Sequence, residues 1–488
     1  MKQIISFRNL AVEPYEVEKL LDIKMEHKVN EHSTLYVKAL LSDEVKDDYV
    51  KTCRQGSDIK LCMHNSENDG VLFYGIVKDI EVYVVQGSYY MELYAVSHSY
   101  ILDIEKRSRT FQDKQKTYES LLNQVMENYA DATMLDMVSQ GSELGQLIVQ
   151  YQETDWEFLK RLASHFNTGL VNEVHFNKVR CYFGIPNNRK HTIEAFNYSI
   201  KQDIGKFLKL SQNGVDGIIE RDFVYYEVES EEPASIGDSV EFQGQKLYVC
   251  QVNAYMDKGV FVFRLTLTTK NGMSQLFQMH DKIVGVSLNA KIDEIENDRV
   301  KVSLDIDKEA YHTPGKQCFF PYSTIYSSKD GSGWYCMPEI GDSVRIYFPD
   351  GIEEHSYAIS SVHDEVDQGM LNGSSGSGNS AGNGEYSGQR DNPSVKSLRN
   401  QNGKEIRLTP GGIYIIADGT TITLLDEGGV SVVSDQNIEF KSDQSIVLSA
   451  EQDVSIVGHT GVDLSCNETA SIKIEENVEV IGQEVKAN

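Results

Sequence analysis

The chain has 488 residues, 40% of them hydrophobic, and carries a formal net charge of −28 at pH 7. That length holds about two to four domains with their own cores. The acidic balance excludes a phosphate-neutralising basic face, and so a nucleic-acid partner, and it excludes a polybasic membrane anchor.

Residues 1–17 contain no long apolar run and no small-residue cleavage site, so the reading is a chain without a secretory leader. No run of about 18 apolar residues occurs, so no bilayer-spanning helix is expected. Seven cysteines (53, 62, 181, 250, 318, 336 and 466) are scattered without a Cys-x-x-Cys pair. This fits reduced thiols, with neither a disulfide framework nor a structural zinc.

Residues 1–280 read as two β-rich subdomains with a small α/β insertion between them. Strand patterns fall at 33–41, 71–84, 89–96 and 260–268. Thr117 caps a helix whose apolar stripe is Tyr118, Leu121, Leu122, Val125, Met126 and Tyr129. Thr154 and Glu157 form a capping box opening a second helix, which buries Phe158, Leu159, Leu162 and Phe166 and stops near Gly169. Glu153, Asp155 and Glu157 have the composition of an acid–base cluster. Early helix positions favour acids through the macrodipole, and the helix-start reading is preferred. His165, beside apolar Phe166, reads as structural. No nucleophile elbow, His-Glu-x-x-His, P-loop or dinucleotide fingerprint is present, so no catalytic, cofactor-binding or metal-ligating residue is assigned.

Residues 281–366 read as a small barrel of the OB type, with strands at 283–288, 300–306, 344–348 and 357–362 separated by Gly/Asp/Asn turns. Trp334 and Tyr335 read as packing residues rather than a ligand platform. Residues 367–392 are a linker, Gly/Ser/Asn-rich over 369–388.

Residues 393–488 carry the strongest signal. In steps of eight, one position gives Ile406, Tyr414, Ile422, Val430, Ile438, Ile446, Val454, Val462, Ala470 and Val478. Two residues on come Leu408, Ile416, Leu424, Val432, Phe440, Leu448, Ile456, Leu464, Ile472 and Val480. At this apolar content a fixed phase would arise by chance about once in 10⁸. The residue between is polar in eight of the ten units. Each unit is then a very short strand with two side chains in and one out, followed by a turn. An eight-residue coil is too short to enclose a core alone, so the expectation is an intertwined trimeric β-helix. Its core would hold Ile422, Leu424, Val430, Val432, Ile438, Phe440, Ile446, Leu448, Val454, Ile456, Val462, Leu464, Ile472, Val478 and Val480. The acidic surface lacks a repeat calcium motif. His459 sits in a turn and reads as solvated, not as a metal ligand. The overall fold class is mainly β.

Three segments carry a resemblance. Residues 108–112 (Ser-Arg-Thr-Phe-Gln) with 149–162 (Val-Gln-Tyr-Gln-Glu-Thr-Asp-Trp-Glu-Phe-Leu-Lys-Arg-Leu), residues 333–344 and residues 402–410 resemble, in that order, the hub, OB-like domain and needle entry of VgrG spike and phage late-control D proteins. The resemblance implies a homotrimer whose hub sits on an inner tube within a baseplate and whose needle carries a PAAR-type tip protein. It implies assembly in the cytoplasm and then ejection or release with the particle. No lysozyme-like domain precedes the needle, so any effector would bind non-covalently or travel in the tube. Two other readings of the repeat are a trimeric polysaccharide-degrading enzyme and a tail adhesin.

Overall fold

The computed structural model describes residues 5–45, 48–54, 56–64, 70–193, 197–307, 315–325, 328, 336–360, 394–400, 402–466 and 470–474. The chain divides into two compact units, Met1–Asp364 and Glu365–Asn488. The fold is mainly β, as the sequence indicates. The linker 367–392, Trp334 and Tyr335 lie outside the described residues.

In the first unit, a 12-stranded sheet joins two barrels edge to edge. The first barrel runs, in spatial order, Leu10–Glu13, Asp58–Met63, Gly70–Val85, Ser88–Ser97, Thr34–Leu41 and Lys19–Lys28. Lys19–Lys28 then pairs antiparallel with Gln245–Asp257 of the second barrel, setting Ala254 opposite Met25. Val260–Thr268, Val224–Ser230 and Tyr198–Gln202 follow. Alternation explains the core. Leu35, Val37, Ala39 and Leu41 point inward from one strand and Phe261, Phe263, Leu265 and Leu267 from another, all nearly inaccessible to solvent. A bridge between Ser6 and Val260 brings the chain start back onto the second barrel.

The insertion sits between the barrels in sequence, and its helices are built as their caps predict. The Thr117 side chain accepts from Ser120 N at 3.2 Å and opens the helix Tyr118–Met126. Thr154 and Glu157 cap each other reciprocally, at 3.1 and 3.0 Å, at the head of Asp155–Ser164. The two helices bury Leu121, Leu122, Val125, Trp156, Phe158, Leu159 and Leu162 against Phe111 and Phe183.

Strands Ser287–Glu296, Arg299–Leu304, Phe319–Pro321, Ser343–Tyr347 and Tyr357–Ser360 form a five-stranded antiparallel sheet. A parallel bridge between Tyr322 and Ala358 closes it into the small barrel the sequence suggested. One boundary differs. The strand expected at 283–288 begins at Ser287 and runs on to Glu296, with Ala290 and Ile292 buried and Lys291 exposed between them. The barrel shares its core with the insertion, because Leu147 and Val149 pack among Val302, Ile346 and Phe348. Polar contacts reinforce the join: Thr110 N donates to Asp307 at 2.5 Å and Cys318 N to Gln112 Oε1 at 3.2 Å.

Three histidines in this unit resist protonation. Burial pushes His27 down to about 4, His165 down to about 4 and His280 down to about 3. The unfolded chain therefore binds protons that the folded unit does not. Their contribution to stability is full above about pH 6.5 and is lost as pH falls toward about 4. The expected result is a stability that drops between pH 6 and 5 with uptake of close to three protons on unfolding. Denaturant titrations at several pH values check this, and a flat profile in that window contradicts it.

Candidate functional site: an open apolar face in the C-terminal unit

The first unit offers polar constellations that resemble chemistry, and their geometry favours structure. Ser99 Oγ lies 2.8 Å from His32 Nδ1, and Asp103 Oδ2 lies 3.2 Å from His32 Nε2. The residue types are those of a nucleophilic triad. Yet Ser99 is 2% exposed and also bonded to Ser97 Oγ at 2.9 Å, so a substrate carbonyl has no approach to it. His32 instead packs on Trp156, ring centres 4.4 Å apart, and fastens the first barrel to the insertion.

The three acids near the second helix do not converge. Glu153 binds Arg161 Nε and Nη2 at 3.0 and 2.9 Å. Asp155, fully buried, accepts from Arg109 Nη2 at 2.6 Å, Gln150 Nε2 at 2.9 Å and Tyr129 Oη at 2.8 Å. Glu157 meets Lys282 Nζ at 2.7 Å; burial opposes its charge, but that bond and the Thr154 N–H hold its carboxyl below the usual range. The helix-start reading is thus right for Glu157 and incomplete for Asp155 and Glu153, whose partners lie elsewhere in the chain. His165 takes the structural place expected, against Tyr118 Oη at 2.9 Å. Among the described residues no group of three or more His, Cys, Asp or Glu side chains is placed to hold a metal.

The second unit is different. Strands Lys396–Arg399, Glu405–Thr409, Gly412–Ala417, Thr420–Leu425 and Gly429–Ser434 form an antiparallel meander. The register aligns Ile406, Ile415, Ile422 and Val432 in one row and Leu408, Ile413, Leu424 and Val430 in the next. Both rows lie on one face, because side chains two residues apart along a strand share a side. That face is open: Ile406, Leu408, Ile413, Ile415, Leu424 and Val432 are 40–46% exposed and Val430 72%. The opposite face carries Arg407, Tyr414, Thr423 and Ser431. Arg407 clamps Glu405 at 2.9 and 2.7 Å, which holds that carboxyl below its ordinary range.

One unit of the repeat is out of phase with the sequence reading. Eight-residue steps place Tyr414 and Ile416 with the inward rows, but the register puts Ile413 and Ile415 there. The cause is turn length. Thr409 pairs with Gly412 and Ala417 with Thr420, so each turn has two residues. A reversing strand with such turns flips the parity of its faces, and the next turn flips it back.

After Asp435, whose N–H still donates to the Gly419 carbonyl at 2.9 Å, strand pairing stops until Val462. Residues 435–461 contain no strand, but the backbone bends at 435–436, 443–444, 451–452 and 459–460, a spacing of eight. The first two corners share a device: Gln436 N donates to Ser434 Oγ at 3.1 Å and Gln444 N to Ser442 Oγ at 3.2 Å. Between corners Ile438, Ile446 and Val454 are 47–55% exposed, and Phe440, Leu448 and Ile456 are 61–75% exposed. Val462–Cys466 and Ala470–Ile474 then form a hairpin with Leu464 opposite Ile472 and Val462 opposite Ile474. His459 lies at the last corner and is exposed. Of the fifteen expected core residues, Ile422, Leu424, Val430 and Val432 share the open face and six sit on the bent segment. Val462, Leu464 and Ile472 are on the hairpin, while Val478 and Val480 lie outside the described residues.

Neither a family model nor a curated protein matches the sequence. Solved structures do. A protein of Escherichia coli, c3393, described as a type VI secretion component similar in structure to the T4 phage tail proteins gp27 and gp5, superposes with a TM-score of 0.52 at 11% identity. The match covers 72% of this chain and 98% of that one. The fold is VgrG-like. A PdpA–VgrG complex in its lidless form gives a TM-score of 0.50 at 8% identity over 85% of this chain and 93% of that one. The lidded Francisella PdpA–VgrG complex gives 0.50 at 8% identity over 86% and 76%. At these identities the likeness is one of fold.

Proposed function

We propose that the chain is the spike and hub subunit of a contractile injection machine of the type VI secretion or phage-tail kind. In this reading the first unit is the hub that joins the inner tube and baseplate, and three copies of the second unit wind into a needle. The needle end would carry a PAAR-type tip protein, and effectors would attach without covalent linkage. A spike fold among the neighbours supports a mechanical role over a catalytic one.

One observation carries the reading. Over 436–461 the backbone bends every eight residues and has no strand pairing within its own chain, while its apolar side chains stand open. Backbone N–H and C=O groups require partners once buried. A single chain supplies neither those partners nor a core; two further copies at the same axis supply both. Each apolar side chain so buried contributes about 1.5–3 kcal/mol. Mass photometry of the full chain should then show a species of three times the 55.0 kDa protomer mass. A lone protomer persisting at micromolar concentration would rule the reading out.

A further inference from the structure

A cleft opens on the outside of the second barrel. Tyr226, Leu265 and Leu267 fill the barrel core, so the alternate residues Tyr225 and Thr266 point outward. Together with Cys250 on the strand Gln245–Asp257 they floor the cleft. Its roof is the first turn of the helix Ile204–Gln212, which carries Lys206, and the turn at Gly272. The space measures about 380 Å³, room for a small ligand.

The cleft is built, not left over. The ladder slips between Val249 and Gln251, so Cys250 sits in a bulge, a device that re-aims side chains beside binding sites. Its Sγ donates to the Thr266 carbonyl at 3.2 Å. Gly272 packs too tightly for any other residue: a Cβ there would lie 2.2 Å from Thr268 Oγ1 and 2.3 Å from the Asp222 carbonyl. The Gly272 carbonyl is thereby fixed, and it accepts from both Lys206 Nζ and Tyr225 Oη at 2.8 Å.

Charge inside the cleft is unbalanced. Lys206 is half-buried, and its ammonium group has three N–H donors. One goes to Gly272 and one to Tyr225 Oη at 3.3 Å, and neither partner is an acid. Among the described residues Lys206 has no ion pair; Asp203 Oδ1 accepts from its backbone N–H at 2.9 Å. Burial lowers the Lys206 pKa, against a smaller pull from Cys250 and Asp203. Burial also pushes the Cys250 thiol up to about 12 and raises the Tyr225 phenol, so both stay neutral and neither supplies the missing negative charge. The acids at the mouth are exposed: Glu31 lies 3.7 Å from Lys28, and Glu227 lies 3.6 Å from Arg264. They would repel a ligand with a second negative charge.

We propose that this cleft binds a monocarboxylate, either a free acid or the end of a chain, with one oxygen on Lys206 Nζ and the other toward the Thr266 hydroxyl. The ligand then provides the counter-charge that the fold omits.

Isothermal titration of the full chain with butyrate tests this, with butyramide as the neutral match and sulfate as the dianion. Butyrate should bind about tenfold tighter than either, the size of one charge-assisted hydrogen bond. K206M should bring butyrate down to the butyramide level, and T266V should weaken it about threefold. In the wild type the preference should fade before pH reaches the ordinary lysine value of about 10.4, because a neutral amine no longer favours the anion. That measurement decides the matter even where K206M does not fold. Tetra-alanine, set against its C-terminal amide, separates the two sources: a preference for the free peptide that exceeds butyrate's identifies a chain end, and a smaller one a free acid. Equal binding of butyrate and butyramide by the wild type overturns the proposal, as does tighter binding of sulfate. A preference that survives in folded K206M also overturns it and leaves Lys206 as a tie between helix and turn.

Discussion

Replacing Arg161 by Met is expected to lower the stability of the first unit by about 3–5 kcal/mol, the cost of leaving buried charge without its partner. Arg161 is 3% exposed. Its guanidinium holds Glu153 through Nε and Nη2, Glu353 through Nη1 at 2.8 Å and the Val149 carbonyl through Nη2 at 2.5 Å. Burial works against the charge, yet the two carboxylates outweigh it and raise the guanidinium pKa. Burial likewise pushes the Glu353 carboxyl up, opposed by the Arg161 charge and by backbone N–H groups. His280, 1% exposed with Nε2 3.5 Å from Glu153, is kept neutral chiefly by burial, which the substitution leaves in place. The R161M variant therefore strands two acids at the join between the insertion and the small barrel. Adding E153Q and E353Q should recover much of the loss, since neutral groups remove the uncompensated charge. Calorimetric melting of the three proteins checks the order. A loss below 1 kcal/mol in R161M would mean that water reaches the cluster, contrary to the burial of all three side chains.

That cluster also marks where sequence reading ends. Helix caps are local, so Thr117 and Thr154 were legible from a few residues each. So was the strand 34–41, whose alternation is strong, and so were 70–85 and 88–97, which are rich in β-branched and aromatic residues. The helix Ile204–Gln212 was missed, although Asp203 caps it by accepting from Lys206 N at 2.9 Å. It is short and contains Gly205, a poor helix former, and it buries only Leu210, although Ile204, Phe207 and Leu208 carry helical spacing. Arg161 and Glu353 are 192 residues apart, and no local pattern pairs them. The seam between Lys19–Lys28 and Gln245–Asp257 is equally non-local. In the second unit the repeat period was legible and the direction of the chain was not. Eight-residue spacing is the same for a coil that advances and for strands that reverse; only the turn geometry at Pro410–Gly411 and Asp418–Gly419 separates them.

The bent segment gives the sharpest test of that phase. Replacing Val454 and Ile456 together by Asp is expected to abolish the proposed trimer, whereas Ser455→Asp is expected to leave it intact. The three residues are consecutive, so solvent exposure in the single chain differs little: Val454 is 54% exposed and Ile456 61%. A monomer would tolerate all three changes alike. In three wound copies, alternate positions face opposite ways. The double variant would bring six carboxylates to the axis and remove six apolar side chains, a loss on the order of 10 kcal/mol from burial alone. Each carboxylate would also have to be buried without a cation, which adds to the loss. Ser455 would stay on the acidic outer surface, where one more charge is solvated. The first unit has its own cores and should melt unchanged in both variants. Mass photometry over a dilution series separates the outcomes. If S455D dissociates the assembly as readily as the double variant, the inward phase is misassigned over 435–461. If neither does, three-fold winding is not what holds the copies together.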